Sequence, residues 1–143
     1  MKLSSRADYA AKAMLELTMS PDRPVTLAYL AHTQNISISY LEQIFALLRK
    51  HGLVRSVRGP GGGYVLNKNI DEISVGDIVK AIDLPEKEKA KDNVPTGHGA
   101  PESAHLWKEL SSMVYDYLSS VSLRDIHEEY KKKHPDDKSI QAA

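Results

Sequence analysis

The chain has 143 residues, of which 41% are hydrophobic and 27% charged, and it contains no cysteine. That much apolar surface can offset chain entropy when it is patterned, which excludes wholesale disorder and suits one domain with a helical appendage; a disulfide, a thiol nucleophile and a thiolate metal cage are excluded outright. The 19 basic and 19 acidic side chains cancel, but residues 1–70 hold nine Lys or Arg against four acids and residues 71–143 hold ten against fifteen, a basic half joined to an acidic half.

In chain order, Ala10, Ala13, Met14 and Leu17 fall on one helical stripe that Ser4 or Ser5 can cap and that ends near Ser20-Pro21. Thr26 can cap a short second helix with Leu27, Leu30 and Ala31 on one face, ending near Asn35. Ser39-x-x-Glu42 has the form of a capping box opening a third helix, which turns Leu41, Ile44, Phe45, Leu47 and Leu48 inward and stops at His51-Gly52. The period then changes: Leu53 to Arg58 and Tyr64-Val65-Leu66 read as extended, with Gly59-Pro60-Gly61-Gly62-Gly63 as the tip of a hairpin. Ser74-x-x-Asp77 caps a fourth helix carrying Val75, Ile78, Val79 and Ile82.

Residues 85–103 are charged and then rich in Pro and Gly, and read as a loop. A long helix follows with Leu106, Trp107, Leu110, Met113, Val114, Tyr117 and Leu118 at three-and-four spacing, then a last helix capped by Ser122-x-x-Asp125 and ending in Lys131-Lys132-Lys133. The predicted organisation is residues 1–84 as a head, 85–103 as the loop, 104–133 as a helical arm and 134–143 as a frayed tail. No apolar run approaches the roughly 18 residues of a membrane span, and the first six residues lack the apolar stretch of a signal peptide, so a cytoplasmic location is expected.

Three helices and a hairpin in fewer than 70 residues, carrying the positive half of the charge, are the order of a winged helix-turn-helix. The fold class is mainly α, with a small β-hairpin wing and a long C-terminal helix. A steep turn at Asn35 to Ile38 would send helix three into a DNA major groove by its N-terminal end. Ser39, Tyr40, Glu42 and Gln43 are then the candidate base readers: Gln suits adenine, Glu the cytosine amino group, Ser either partner. Glu42 near phosphates costs affinity, so in the groove it selects rather than tightens; alternatively it only closes the capping box.

Arg58 with Gly59, Gly61 and Gly62 forms a tip that can approach the minor groove or the phosphates. A nucleotide-cradling loop fails on context, because no helix N-terminus and no Lys-Ser/Thr pair follows the glycines. Lys2, Arg6, Arg49, Lys50 and Arg55 are candidate phosphate contacts, or plain solvated charge. The long helix is too apolar for a lone surface helix. A second copy of the chain is its simplest cover, with helix one of the same chain as the alternative or a partial contributor.

With MKLSSRADYA at the start, ISISYLEQIFALLRKHGLVRSVRGPGGGYVL at 36–66, ISVGDIVKAID at 73–83, and LW and SL at 106 and 122, the chain resembles the family of the iron–sulfur cluster regulator IscR, which includes CymR and NsrR. The resemblance implies a dimeric winged-helix transcription regulator on a near-palindromic DNA operator, with Ser39, Tyr40, Glu42 and Gln43 reading bases and Arg58 serving the minor groove. Sensors of this family hold an iron–sulfur cluster, [2Fe–2S] in the expected parent, through cysteines ahead of the long helix. Here Ala90, Ala100 and Ala104 stand in that region. Either cysteines of a parent were replaced by alanine, or this member works without a cluster as CymR-like members do, in that case as a repressor of cysteine or sulfur metabolism. His98 and His105 are the remaining candidate metal ligands, or are simply solvated. A partner-binding winged helix is the competing function; for an enzyme, no nucleophile with its base and no useful carboxylate pair can be assembled.

Overall fold

The computed structural model describes residues 4–83 and 101–135, with side chains from 103 in the second segment. Helix α1, Ser5–Thr18, is capped by Ser4, whose hydroxyl accepts the Ala7 N–H and donates to Asp83 Oδ1 at 2.6 Å, tying the start of α1 to the end of α4 (Val75–Asp83). Helix α2, Leu27–Gln34, is capped by Thr26 and closed by Asn35 in the left-handed conformation (φ 54°), whose N–H returns to the Ala31 carbonyl. Helix α3, Ile38–Lys50, ends at His51, and Gly52 follows at φ +74° as the glycine stop requires.

Strands β1, Val54–Val57, and β2, Gly63–Leu66, pair antiparallel with Val54 opposite Leu66 and Val57 opposite Gly63. The segment ahead of α2 adds a third rung: Val25 and Tyr64 exchange two backbone hydrogen bonds of 2.9 Å. A Cβ on Gly63 would lie 2.6 Å from the Val25 carbonyl oxygen, so this glycine is demanded by the approach of two chain segments inside the protein.

Helix α4 opens with a reciprocal cap in which Ser74 Oγ accepts the Asp77 N–H at 2.9 Å and Asp77 Oδ2 accepts the Ser74 N–H at 3.0 Å. Helix α6, Leu123–Lys133, opens the same way with Ser122 and Asp125. The two caps sit side by side, joined by Val75 N–H to Val121 O and Leu123 N–H to Ile73 O, both 2.8 Å. Between them in the chain runs α5, Pro101–Ser119, which packs on α4. A Cβ on Gly76 would collide with Ser119 Oγ and lie 2.9 Å from the Ser119 backbone, so the two helices meet at van der Waals limits. The long helix thus begins at Pro101, three residues ahead of the expected boundary; proline suits the first helical turn, where its missing N–H costs nothing.

Met14, Leu17, Leu30, Leu41, Ile44, Phe45, Leu48, Ile73, Ile78 and Leu123 form one core drawn from all four head helices and α6. Each such side chain contributes about 1.5–3 kcal/mol by leaving water. Exposed Arg124 and Asp71 add a bidentate tie whose hydrogen bonds hold the Asp71 carboxyl below its usual range; water screens it, and it contributes little. Among the described residues no helix is long and apolar enough to cross a membrane.

Helices α1 and α6 meet at Thr18 and His127, with Oγ1 and Nδ1 2.9 Å apart. The hydroxyl spends its proton on the Leu15 carbonyl at 2.5 Å, so Nδ1–H of His127 must be the donor to it. Burial, and then Lys131, push the His127 pKa below its ordinary value. The folded state therefore binds its proton less readily than the unfolded chain, and the contribution is intact above about pH 6.5 and lost as pH falls through and below it. Urea unfolding at pH 7.5 and 5 should show a smaller acid loss in His127→Gln than in the wild type.

Candidate nucleic-acid interface

Helix α3 decides what this surface can do. Leu41, Ile44, Phe45 and Leu48 are fully buried, and at 100° per residue they leave Ser39, Glu42, Gln43, Ala46, Arg49 and Lys50 on the opposite face, all exposed. The expected capping box at Ser39 and Glu42 does not form. The cap is Ser37, in extended conformation, whose hydroxyl accepts the Tyr40 N–H at 3.1 Å, and the helix begins with Ile38. Glu42 is thereby free of any capping duty, and Ser39 already lies within the first turn with its side chain outward.

Tyr40 departs from the expected exposure. It is half-buried, its ring edge-on to Tyr9 of α1 at 5.9 Å, because residue 40 lies on the flank of α3 that faces α1. Its ring is therefore a packing element. Ile38, expected only as part of the connecting turn, stands 46% exposed at the head of the helix. Tyr29 in the first turn of α2 is also exposed. A cap at Ser37 rather than Ser39 is the signal that puts Ile38 on this face.

The hairpin is locked to α3 by Phe45 and Tyr64, whose ring centroids are 4.8 Å apart. Its tip projects from that anchor. Arg58, Gly59, Pro60 and Gly61 are exposed, Gly59 and Gly61 have positive φ, and nothing lies within 4 Å of where a side chain would begin on either. Gly62 differs. A Cβ there would collide with the Val57 carbonyl oxygen and lie 2.8 Å from that of Gly59, so its smallness is required by the turn, which closes with Gly62 N–H on the Gly59 carbonyl.

Of the remaining cations, Arg49, Lys50 and Arg55 are exposed. Arg6 is half-buried, with its Nε enclosed and unpartnered within the described residues, which places part of the guanidinium inside the protein surface. Lys2 lies outside the described residues.

Helix α5 presents the other unusual surface. Leu106, Leu110, Met113 and Tyr117 form one exposed stripe, with Met113 and Tyr117 62% and 68% exposed. Trp107 is exposed beside it, and Val114 and Leu118 on the same flank are half-buried. Helix α1, the alternative or partial cover, packs on α4 and α6, whereas α5 packs on α4 by the opposite side of the helix, around Ser119. Ala104 is half-buried in the first turns of α5 and His105 is exposed; Ala90, His98 and Ala100 lie outside the described residues. Among the described residues no group of three His, Asp or Glu side chains is placed to hold a metal ion.

Residues 3–129 match the Rrf2 family, described as "Iron-dependent Transcriptional regulator". The chain is 43% identical over 129 residues to the HTH-type transcriptional regulator IscR of Pectobacterium atrosepticum, covering 88% of this chain and 79% of that protein. Among solved structures it is similar to T. potens IscR, with a TM-score of 0.76 and 31% identity over 93% of this chain and 90% of the other. It is likewise similar to CymR, the global cysteine regulator of B. subtilis, with a TM-score of 0.73 and 33% identity over 90% and 98%.

The position of the α3 cap has a measurable consequence. Ser37→Ala should lower unfolding stability by about 1 kcal/mol, as for loss of an N-cap, while Ser39→Ala should change it by no more than about 0.5 kcal/mol; chemical denaturation of both variants checks the order.

Proposed function

The chain belongs to the Rrf2 family of iron-dependent transcriptional regulators, and from that premise we propose that it acts as a homodimer reading a near-palindromic operator through α3 and the hairpin tip. The observation that carries the reading is the exposed face of α3. Its core side is filled by four apolar side chains, and what is left outward at the N-terminal end is Ser39, Glu42 and Gln43, groups able to donate to or accept from base edges. Gln43 suits adenine, and Glu42, released from the cap, suits the cytosine amino group and disfavours bases that offer an acceptor there. Tyr40 contributes by holding the reading turn against α1, with only its hydroxyl edge available to DNA. Arg58 on the open tip, with Gly59 and Gly61, serves the minor groove or its phosphates, and Gly62 acts by closing the turn. Arg49, Lys50, Arg55 and the exposed part of Arg6 set the register on phosphates, with Lys2 assigned the same role from the sequence.

The second element is the dimer. The stripe of Leu106, Leu110, Met113 and Tyr117, flanked by Trp107, Val114 and Leu118, is continuous and has no cover within the described residues of this chain; a twofold-related α5 would bury it and bring two heads to two half-sites. In this organisation residues 1–84 form the head, and α5 with α6, residues 101–133, the arm.

The chemistry of an iron–sulfur cluster does not fit the residues of this chain. A cluster of the [2Fe–2S] type is held by thiolates, the sequence has none, and His105, exposed on α5, belongs to no group of three candidate ligands among the described residues. This polypeptide therefore binds its operator as a cluster-free protein. Ala90, Ala100 and Ala104 mark the region where a cysteine-containing parent would carry the cluster and sense iron–sulfur status. A cluster-independent, CymR-like repressor is the second reading, favoured by the absence of thiols together with the likeness to CymR.

A mobility-shift titration tests the DNA assignment. Arg58→Ala should weaken operator binding about tenfold and flatten its salt dependence, as expected for loss of a charge-assisted contact. Gln43→Ala should lose discrimination at one base of each half-site; unchanged binding of both variants would refute the assignment. For the dimer, Leu110→Asp combined with Met113→Asp should give a monomer in sedimentation velocity at micromolar concentration, and operator affinity should fall with it.

A further inference from the structure

A single exposed apolar side chain is ordinary on a protein surface. Ile38 is not in an ordinary place. It is the first residue of α3 and stands 46% exposed there. The Ser37 hydroxyl just before it accepts the Tyr40 N–H, which turns that side chain back along the helix as its cap and leaves Ile38 the foremost outward side chain of α3 itself. At 100° per residue, Ile38 lies one turn before Glu42 on the same edge of the outward face, with Ser39 beside it.

A helix that enters a major groove by its N-terminal end brings its first turn down to the base edges. An aliphatic group at that depth gains nothing from phosphate oxygens or from the amino and carbonyl groups of the base edges. The floor of the major groove offers one apolar group, the C5-methyl of thymine. From this placement we infer that Ile38 is a specificity-determining residue that packs on a thymine methyl in each half-site, next to the base read by Glu42. The inference rests on the proposed role of α3 and adds to it the identity of a base that no polar side chain of the helix selects. It also gives the reading turn a division of labour, with hydrogen bonds from Ser39, Glu42 and Gln43 and shape selection from Ile38.

The experiment couples the side chain to the methyl. An operator is selected from a randomised duplex pool with the full chain, and each thymine is replaced in turn by deoxyuridine, which differs only in lacking the C5-methyl. For the wild type, one position per half-site should lose about fourfold in affinity, the value for burying one methyl-sized group. Ile38→Ala should bind the unmodified operator more weakly and show no additional loss at that position, while Ile38→Val should retain the coupling. The salt dependence of binding should be the same in all three proteins, because no phosphate contact is touched. If Ile38→Ala and wild type respond equally to every deoxyuridine substitution, the thymine contact is wrong while the reading helix stands; if the wild type selects no sequence at all, the reading helix is wrong and the thymine contact falls with it.

Discussion

The inward anchoring of α3 is the constraint on which the rest depends. Leu41, Ile44, Phe45 and Leu48 are wholly buried, and a helix of 3.6 residues per turn that commits those four positions has no choice about which others face outward. The outward surface of α3 is thus the complement of its packing surface. The same anchor positions the wing, since Tyr64 of β2 rests on Phe45 and exchanges backbone hydrogen bonds with Val25 ahead of α2. Helix α3 and the hairpin tip are held in one frame by groups that are withdrawn from solvent, and the exposed side chains are left out of the packing.

Much of this is legible in the sequence where the determining signal is local. Thr26, Ser74-x-x-Asp77 and Ser122-x-x-Asp125 start helices as expected, and the glycine run does form the tip between two paired strands. The helical stripes also identify most of the core, because burial follows period. The cap of α3 falls at a different serine from the expected one for an equally local reason: Ser37 and Ser39 can each accept a first-turn N–H, and Glu42 at the right spacing favours Ser39 on pattern alone. The fold chooses Ser37, whose partner Tyr40 returns no side-chain bond but packs on Tyr9. A contact 31 residues away in sequence outweighs a box closed within four.

Which surface meets which is not written locally. The stripe on α5 announces that it needs a cover, but that its opposite side rests on α4 rather than α1 follows from the approach of Gly76 to Ser119, a contact between residues 43 apart. The glycines of the tip divide in the same way. Their run is visible in the sequence, whereas the distinction between Gly59 and Gly61, open to solvent, and Gly62, crowded by carbonyl oxygens, depends on how the turn closes.

The twin capped helix starts at Ser74 and Ser122 carry a mechanical implication. Backbone hydrogen bonds of 2.8 Å on both sides of that bridge, with Gly76 seated against Ser119, splice the segment leaving the wing to the segment leaving α5. In an assembly joined through α5, each head is therefore a jaw fixed to its handle. In the proposed dimer the angle at which two handles cross would set the distance between the jaws, so a rotation at the subunit seam would change the spacing of the two heads.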